Sequence, residues 1–339
     1  MPHMSRRAVL AGLSTAAFAG SALPAFAQQK TTISVSRAYG IIYMVTHVIE
    51  QQKLIEKHAE ALGVPGLTVN WVSFAGGGNQ TDALLAGNVD IVNSGIGNLL
   101  LLWDRTKGGV KGIVGTAGHP LLLITRDPKI QSLRDFGPGD KIAVPTVRSS
   151  THAVLLQMAA AQTFGPDQWS RLDANTVQLG HADAVVALAN PAHEVRTHFS
   201  APPYDQYELK NIPGTRVILS SRDIVDGPVA QAQFFTTTRF ADANPKVVLA
   251  LKLATQEAIQ FVKTRTREAV EIYRVINKDT MSTDEIVAIM QQPNMLDFIA
   301  APQATMKIAA HLHKVGTIKT MPTAWTDYYL PVAHDLPGT

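Results

Sequence analysis

The sequence predicts an α/β protein of two lobes, followed by a helical C-terminal segment. Its 339 residues are enough for two domains, since domains typically contain about 100–200 residues. Short apolar runs alternate with amphipathic helices in two successive sets, and such alternation is typical of a parallel or mixed sheet covered by helices. Gly118-His119-Pro120 separates the two sets, and from Pro245 onward the periodicity is only helical.

The first set begins with a strand and a helix. Residues 32–36 predict the strand, and apolar residues then recur at helical spacing: Ile41, Val45, Val48, Ile49 and Ile55. Gly63 and Pro65 end this helix. In the next helix Asn79 is a favourable N-cap, and Gly87 is a favourable terminator. The other elements expected in this set are strands at 67–71, 89–93 and 113–116 and a helix at 98–105.

The second set repeats this order. Strands are expected at 121–125, 141–144, 176–179 and 216–220, and helical segments at 132–136, 151–164 and 183–189. Gly227-Pro228 breaks the pattern again before a last strand at 233–237. Four helices then complete the chain, at 245–263, 266–276, 283–291 and 303–314.

The first 27 residues predict an export signal that is cleaved after Ala27. Arg6-Arg7 precedes a weakly apolar run that ends in Ala25-Phe26-Ala27, which is the order of basic, apolar and small-residue regions in secretory signals. The paired arginines resemble the twin-arginine (Tat) signal. A Sec signal is the alternative, because Val9 stands where the Tat pattern usually has Phe. Either route predicts a periplasmic protein.

The formal charge of +3 does not indicate a nucleic-acid partner. Two of the 30 basic residues and none of the 27 acidic residues lie in the predicted signal, so the mature chain would carry 28 against 27, a net charge of +1. The basic residues are scattered, whereas nucleic-acid binding requires a clustered basic surface. The chain has no cysteine, which excludes disulfides, thiolate nucleophiles and Cys-ligated metal sites.

Small-residue turns join strands to helices near residues 37–41, 76–80, 94–98 and 148–152. The first N–H groups of a helix have no intrahelical partner and carry a partial positive charge, so they can hold an anion. In open α/β sheets, ligands bind beyond the C-terminal ends of the strands. A single turn of this kind is also compatible with an ordinary strand–helix connection, but four of them in two lobes favour a binding cleft.

The order of several segments resembles the substrate-binding proteins of ABC transporters, above all their nitrate/sulfonate/taurine (SsuA-like) branch. The signature is Ala83-Leu84, followed by Gly87 and then by Val89-Asp90-Ile91. Three further segments agree with it in order: Leu133-Arg134-Asp135-Phe136, Ala201-Pro202-Pro203-Tyr204 and Asn244-Pro245. The resemblance covers nearly all of residues 30–330.

The resemblance implies a type II periplasmic-binding-protein fold with the ligand cleft between the lobes. Lobe 1 would comprise residues 30–116 and 231–339, with the helical C-terminal segment packed on it, and lobe 2 would comprise residues 120–227. Crossovers at 117–120 and 227–231 would form the hinge.

The ligand contacts implied by the resemblance lie in the loop after the first strand, in the strand–helix turns and in the second lobe. They are Arg37, Ala38, Tyr39, Gly40, Gly77, Gly78, Asn79, Ser94, Gly95, Ile96, Ser149, Ser150, Thr151, Phe199 and Tyr204. Arg148 is a further candidate, because Arg37 and Arg148 both follow strands. A guanidinium there could hold a carboxylate or sulfonate by two parallel hydrogen bonds, and a solvated surface position is the alternative for each.

The sequence therefore predicts the solute-binding component of an ABC importer. It would be a monomer that captures a small anion, such as a sulfonate, a carboxylate or a nitrate-like ion, and delivers it to an inner-membrane permease with its ATPase. No catalytic residue, metal site or cofactor is predicted, since the sequence has no G-x-S-x-G, H-E-x-x-H or P-loop motif and no G-x-G-x-x-G after a strand. The alternatives are a periplasmic enzyme on the same fold and a ligand-occupancy sensor for a membrane receptor.

Overall fold

Two five-stranded mixed sheets form the framework of the chain. The computed structural model describes residues 30–74, 76–292 and 298–339, and the predicted export signal at 1–27 lies outside them. The strands of the described residues are β1 (Thr32–Arg37), β2 (Thr68–Ser73), β3 (Ile91–Gly95), β4 (Val110–Ala117), β5 (Leu122–Thr125), β6 (Lys141–Val144), β7 (Thr176–Gln178), β8 (Val195–Ser200), β9 (Arg216–Ser220) and β10 (Ala232–Thr237).

Helices connect these strands and form the C-terminal segment. Those of the described residues are α1 (Met44–Gln51), α2 (Leu54–Ala61), α3 (Gly77–Leu85), α4 (Ile96–Arg105), α5 (Thr151–Phe164), α6 (His181–Ala189), α7 (Tyr204–Asn211), α8 (Ser221–Val225), α9 (Thr238–Ala243), α10 (Pro245–Thr264), α11 (Thr266–Asn277), α12 (Thr283–Met290) and α13 (Thr305–Lys314). None of the described helices is long and apolar enough to cross a membrane.

The strand order shows how the chain passes between the sheets. The first sheet has the order β2-β1-β3-β10-β4 and the second has the order β7-β6-β8-β5-β9. In the first sheet β1 is parallel to β2 and β3, and β10 is antiparallel to both of its neighbours. In the second, β6 is parallel to β7 and β8, and β5 is the antiparallel strand. The chain therefore leaves the first sheet after β4, builds the second, and returns as β10.

The α/β architecture predicted from the sequence is confirmed, and three local features differ from the expectations. The predicted first helix is divided into α1 and α2, because Lys53 adopts a left-handed conformation with φ of 49°. Residues 195–200, for which no element was predicted, form a central strand, β8. Helices α4 and α6 begin two residues earlier than expected, at Ile96 and His181.

One apolar core lies between the first sheet and the helices α1, α2, α10 and α11. Val35 of β1, Ile49 of α1 and Phe234 of β10 are fully buried in it. The 20-residue helix α10 begins with Pro245, which is well suited to a first helical turn, and it buries a stripe at helical spacing: Val247, Leu251, Ala254, Ala258 and Val262. Burial of each large apolar side chain contributes about 1.5–3 kcal/mol, so this stripe holds the C-terminal segment on the first sheet.

A second apolar core joins the two sheets below the cleft. It includes Leu99 of α4, Leu155 of α5 and Leu312 of α13, all of which are buried. At the upper end of this contact, a Cβ added to Gly97 would lie 2.4 Å from the carbonyl oxygen of Ser149. The start of α4 and the turn before α5 therefore touch backbone to backbone, and this contact joins the two sheets.

Candidate ligand-binding site

A cavity of about 250 Å³ lies between the two sheets. Its walls come from the loop after β1, from the first residues of α3, α4, α5 and α6, and from one residue of α7. The described residues that line it are Ala38, Tyr39, Ile42, Tyr43, Gly76, Gly77, Gln80, Ser94, Gly95, Asn98, Pro145, Thr146, Ser150, Thr151, His152, Gly180, His181, Ala182, Asp183, Tyr204 and Gln231.

Four helix N-termini converge on this cavity. Gly76, Gly95 and Gly180 precede α3, α4 and α6 without capping them by a side chain, whereas the Ser150 hydroxyl accepts a hydrogen bond from the backbone N–H of Ala153 in α5. The first N–H groups of each helix lack intrahelical acceptors, and the helix dipoles add partial positive charge. Each sheet supplies two of the four termini, so the positive potential comes from both sides of the cleft.

Glycine at position 77 is required by the close approach of α3 to α4. A Cβ on Gly77 would lie 2.3 Å from Asn98 Nδ2 and 2.5 Å from Ser94 Oγ. Asn98 donates to Ser94 Oγ at 3.0 Å, and both residues are buried. The absent side chain therefore lets the N-terminus of α3 approach the polar wall formed by the β3–α4 turn.

Eight of the sequence-predicted contact residues line the cavity and eight do not. Those in the wall are Ala38, Tyr39, Gly77, Ser94, Gly95, Ser150, Thr151 and Tyr204. Those outside it are Arg37, Gly40, Gly78, Asn79, Ile96, Arg148, Ser149 and Phe199. The predicted turns therefore meet at this cavity, whereas half of the individual residues lie outside its wall.

Neither arginine reaches the cavity. The Arg37 guanidinium donates to Glu50 at 2.6 Å and to Ser73 Oγ at 2.9 Å, so its hydrogen bonds hold it on the other side of β1. Arg148 is exposed, with φ of 64°, and lines a groove outside the cavity. Among the described residues, the cavity lining contains no lysine or arginine. The bidentate guanidinium grip expected from the sequence is therefore absent from this wall.

Packing explains the position of the other outlying residues. Phe199 is fully buried and meets His152 edge to face at 5.7 Å between ring centroids, so it supports the wall from behind. Gly40, with φ of 111°, packs against Pro202 and donates its N–H to Asn277 Oδ1 at 3.2 Å. Gly78, Asn79 and Ser149 line the outer groove together with Arg148.

A chain of hydrogen bonds runs from the cavity wall into the second lobe. His181 Nδ1 lies 2.9 Å from His198 Nε2, and His198 Nδ1 lies 2.5 Å from Glu208 Oε1. His198 and Glu208 are fully buried. His152 lies beside His181 with 5.0 Å between ring centroids, and Tyr204 stacks on His181 with 5.5 Å between ring centroids. His152 and His181 line the cavity, and neither was singled out as a ligand contact from the sequence.

Burial keeps this chain uncharged. It lowers the pKa of His198 to about 3 and raises the pKa of Glu208 to about 8. Burial, together with the neighbouring imidazoles, also lowers the pKa of His152 and of His181 well below the usual value for histidine. Burial therefore favours neutral imidazoles and a protonated Glu208 carboxyl.

Apart from the Asp183 carboxylate, the remaining polar side chains in the wall are uncharged hydrogen-bonding groups. Burial raises the pKa values of Tyr43 and Tyr204 to about 12. Gln80 accepts from Ser36 Oγ at 2.6 Å through its carbonyl oxygen. Its Nε2 and the Thr151 hydroxyl are buried without a hydrogen-bond partner in the described part of the chain. Such groups favour a ligand that completes their hydrogen bonds.

One cavity-forming turn was missed by the sequence analysis. Gly180 and the start of α6 bring His181, Ala182 and Asp183 to the wall. The signal was present, because Leu179-Gly180 ends a strand and precedes a helix in the same way as the other turns. The sequence expectation began this helix at Asp183 and so left its first turn out. Across residues 30–74, 76–292 and 298–339, no group of three or more His, Asp or Glu side chains is arranged to hold a metal ion.

No protein-family model matches the chain, and no curated protein matches it significantly. Solved structures do match. The alkanesulfonate-binding protein SsuA from Xanthomonas axonopodis pv. citri, bound to MOPS, has a TM-score of 0.69 at 14% identity, over 89% of this chain and 99% of that chain. The periplasmic aliphatic sulphonate binding protein SsuA from Escherichia coli has a TM-score of 0.63 at 14% identity, over 89% and 92%.

The periplasmic nitrate-binding protein NrtA from Synechocystis PCC 6803 matches with a TM-score of 0.66 at 15% identity, over 89% of this chain and 85% of that chain. At such identities the likeness establishes the fold alone. The chain has the periplasmic-binding-protein fold of these sulfonate- and nitrate-binding proteins, as its resemblance to that branch predicted.

Proposed function

We propose that the chain is the periplasmic solute-binding component of an ABC importer and that it captures a small anion between its two sheets. The observation that carries this proposal is the convergence of four helix N-termini on one cavity. The fold that the chain shares with periplasmic sulfonate- and nitrate-binding proteins supports it.

The anion would be held by backbone N–H groups and neutral side chains rather than by an arginine. Backbone donors at helix starts are fixed in direction and suit carboxylate, sulfonate and nitrate oxygens alike. A volume of about 250 Å³ leaves room for roughly eight non-hydrogen atoms, if each takes the ~30 Å³ that a water molecule occupies. The ligand class is therefore a small organic or inorganic anion.

Capture would use closure of the two lobes about the segments 117–120 and 227–231. The first of these segments follows β4 and the second precedes β10, so both connect the two sheets. A ligand shifts such an equilibrium only by its differential affinity for the closed state. The cavity offers that difference, since each sheet supplies half of the helix N-termini. The closed monomer would then dock on an inner-membrane permease with its ATPase.

Binding is favoured over catalysis because the solved structures that share this fold are binding proteins. Ser150 Oγ caps its own helix, and Ser94 Oγ accepts from Asn98. In the portion of the chain that the structure describes, no hydrogen bond joins a serine to a histidine, which a nucleophile–base pair would need.

A thermal-shift screen tests the ligand class. Ethanesulfonate, butyrate and nitrate are each compared with ethylammonium and with 1-propanol at the same concentration. Anions should raise the melting temperature, because a ligand that binds only the folded state stabilises it by mass action. Stabilisation by the cation or the alcohol alone would contradict the proposal. Native mass spectrometry of the purified protein would identify a retained ligand.

A further inference from the structure

The hydrogen-bond chain His181–His198–Glu208 has a feature that the proposed function does not use. Its outer end, His181, lines the cavity, and its inner end, Glu208, is a fully buried carboxyl. His181 Nδ1 is occupied by His198, so Nε2 is the ring nitrogen left for the cavity.

The protonation state of Glu208 determines which group donates and which accepts in each hydrogen bond of this chain. A neutral imidazole has one N–H donor and one acceptor nitrogen. If Glu208 holds a proton, it donates to His198 Nδ1, His198 Nε2–H donates to His181 Nδ1, and His181 carries its proton on Nε2. If Glu208 is ionised, all three directions reverse, and His181 Nε2 becomes an acceptor. The cavity-facing atom thus changes from donor to acceptor with one proton bound two hydrogen bonds away.

We propose that His181 recognises an acceptor oxygen of the ligand by donating from Nε2, and that Glu208, acting through His198, is the positioning residue that fixes this donor state. The inference rests on the proposed function and deepens it, since it makes His181 a specificity-determining contact for anions. Binding of the anion is then linked to protonation of Glu208. Each of the two events favours the other, although the anion does not contact Glu208.

Other titratable groups lie around the hydrogen-bond chain. His152 of α5 lies against His181, and Tyr204 of α7 stacks on it. Asp183 lies in the cavity wall. Asp205 is buried on the same helix as Glu208, and burial, with repulsion from Glu208, raises its pKa to about 7. Asp205 is therefore the group whose titration could be mistaken for that of Glu208.

The first experiment measures the histidine tautomers directly, without a ligand. Nitrogen-15 chemical shifts of His181 and His198 in the full chain should show Nε2–H on both rings at about pH 6.5. They should show conversion to Nδ1–H as the pH rises past about 8, where Glu208 ionises. Nδ1–H on both rings at about pH 6.5 would overturn the inference, whether or not anions bind.

The second experiment measures affinity against pH for ethanesulfonate. Above about pH 8, Kd of the unmodified protein should rise about tenfold per pH unit, as one linked proton requires. Glu208→Gln keeps an amide N–H that can donate to His198, so its Kd should change less than about twofold over the same range. A Glu208→Gln variant as pH-sensitive as the unmodified protein would overturn the inference.

Two control variants separate this effect from its neighbours. Asp205→Asn removes the adjacent buried carboxyl, and its Kd should still rise about tenfold per pH unit. If Kd becomes independent of pH in Asp205→Asn alone, the linked proton belongs to Asp205 and the inference is refuted. His181→Phe keeps a ring beside Tyr204 but has no donor, and it should weaken ethanesulfonate binding about tenfold or more. Unchanged affinity in a folded His181→Phe variant refutes the inference while leaving anion binding itself intact.

Discussion

Substitution of Gly97 by alanine tests the backbone contact between α4 and the turn before α5. The added Cβ would lie 2.4 Å from Ser149 O and 3.4 Å from Ser149 C, about 1 Å short of an ordinary contact. Because Gly97 lies in the first turn of α4 on the first sheet and Ser149 precedes α5 on the second, these two segments must separate. Overpacking of this kind costs about 1–3 kcal/mol. If that cost falls on the closed state, affinity for an anion falls about 5- to 150-fold.

Isothermal titration with ethanesulfonate measures this loss, and small-angle scattering of the ligand-free protein reports whether the lobes are further apart. Gly139→Ala is the matched control, because nothing lies within 4 Å of the added Cβ and its φ is unstrained. The control should bind like the unmodified protein. An affinity of Gly97→Ala within twofold of the control would refute the reasoning that this contact belongs to the closed cleft.

Three further predictions concern charge. Arg37→Ala should leave anion affinity within about twofold by titration and lower the free energy of unfolding by about 1 kcal/mol or less, because the guanidinium serves Glu50 and Ser73; a tenfold loss of affinity would place it in the site. Asp183→Asn should raise anion affinity about two- to fivefold, since a carboxylate in the cavity wall repels the ligand; weaker binding would count against an anionic ligand. The melting temperature of Glu208→Gln should increase relative to that of the unmodified protein as the pH rises from about 5 to about 8. Burial raises the pKa of Glu208 from 4.5 to about 8, so the unmodified protein loses stability across this range and the variant does not. A difference in melting temperature that is constant with pH would contradict the buried neutral carboxyl.

Much of the fold was predictable because its signals are local. Apolar residues at period 2 or 3.6 report which face of a strand or helix is buried, and Gly or Pro marks where the element ends. The turns at 76–80 and 94–98 were found in this way. The division between α1 and α2 was not, because Lys53 in a left-handed conformation has no strong signature in the sequence.

The site residues were predicted less well than the turns that carry them. A turn is recognised from a few neighbouring residues, but the direction of a side chain depends on partners elsewhere in the fold. Arg37 follows a strand as an anion-binding residue would, yet Glu50, 13 residues later, holds it away from the cavity. The turn before His181 has a local signal in Leu179-Gly180, but no local pattern shows that the His181 side chain joins the cavity wall.

The sequence by itself determined the α/β alternation and the placement of helix starts at strand ends, and with them a cleft rich in backbone donors. The tertiary structure alone decided which side chains complete that cleft. In the folded chain both arginines lie outside the cavity wall. Hydrogen bonds connect His181 to His198, 17 residues apart, and His198 to Glu208, 10 residues apart. The physical reason is that periodicity records burial along one element, whereas a buried hydrogen bond needs atoms from several elements placed within about 3 Å.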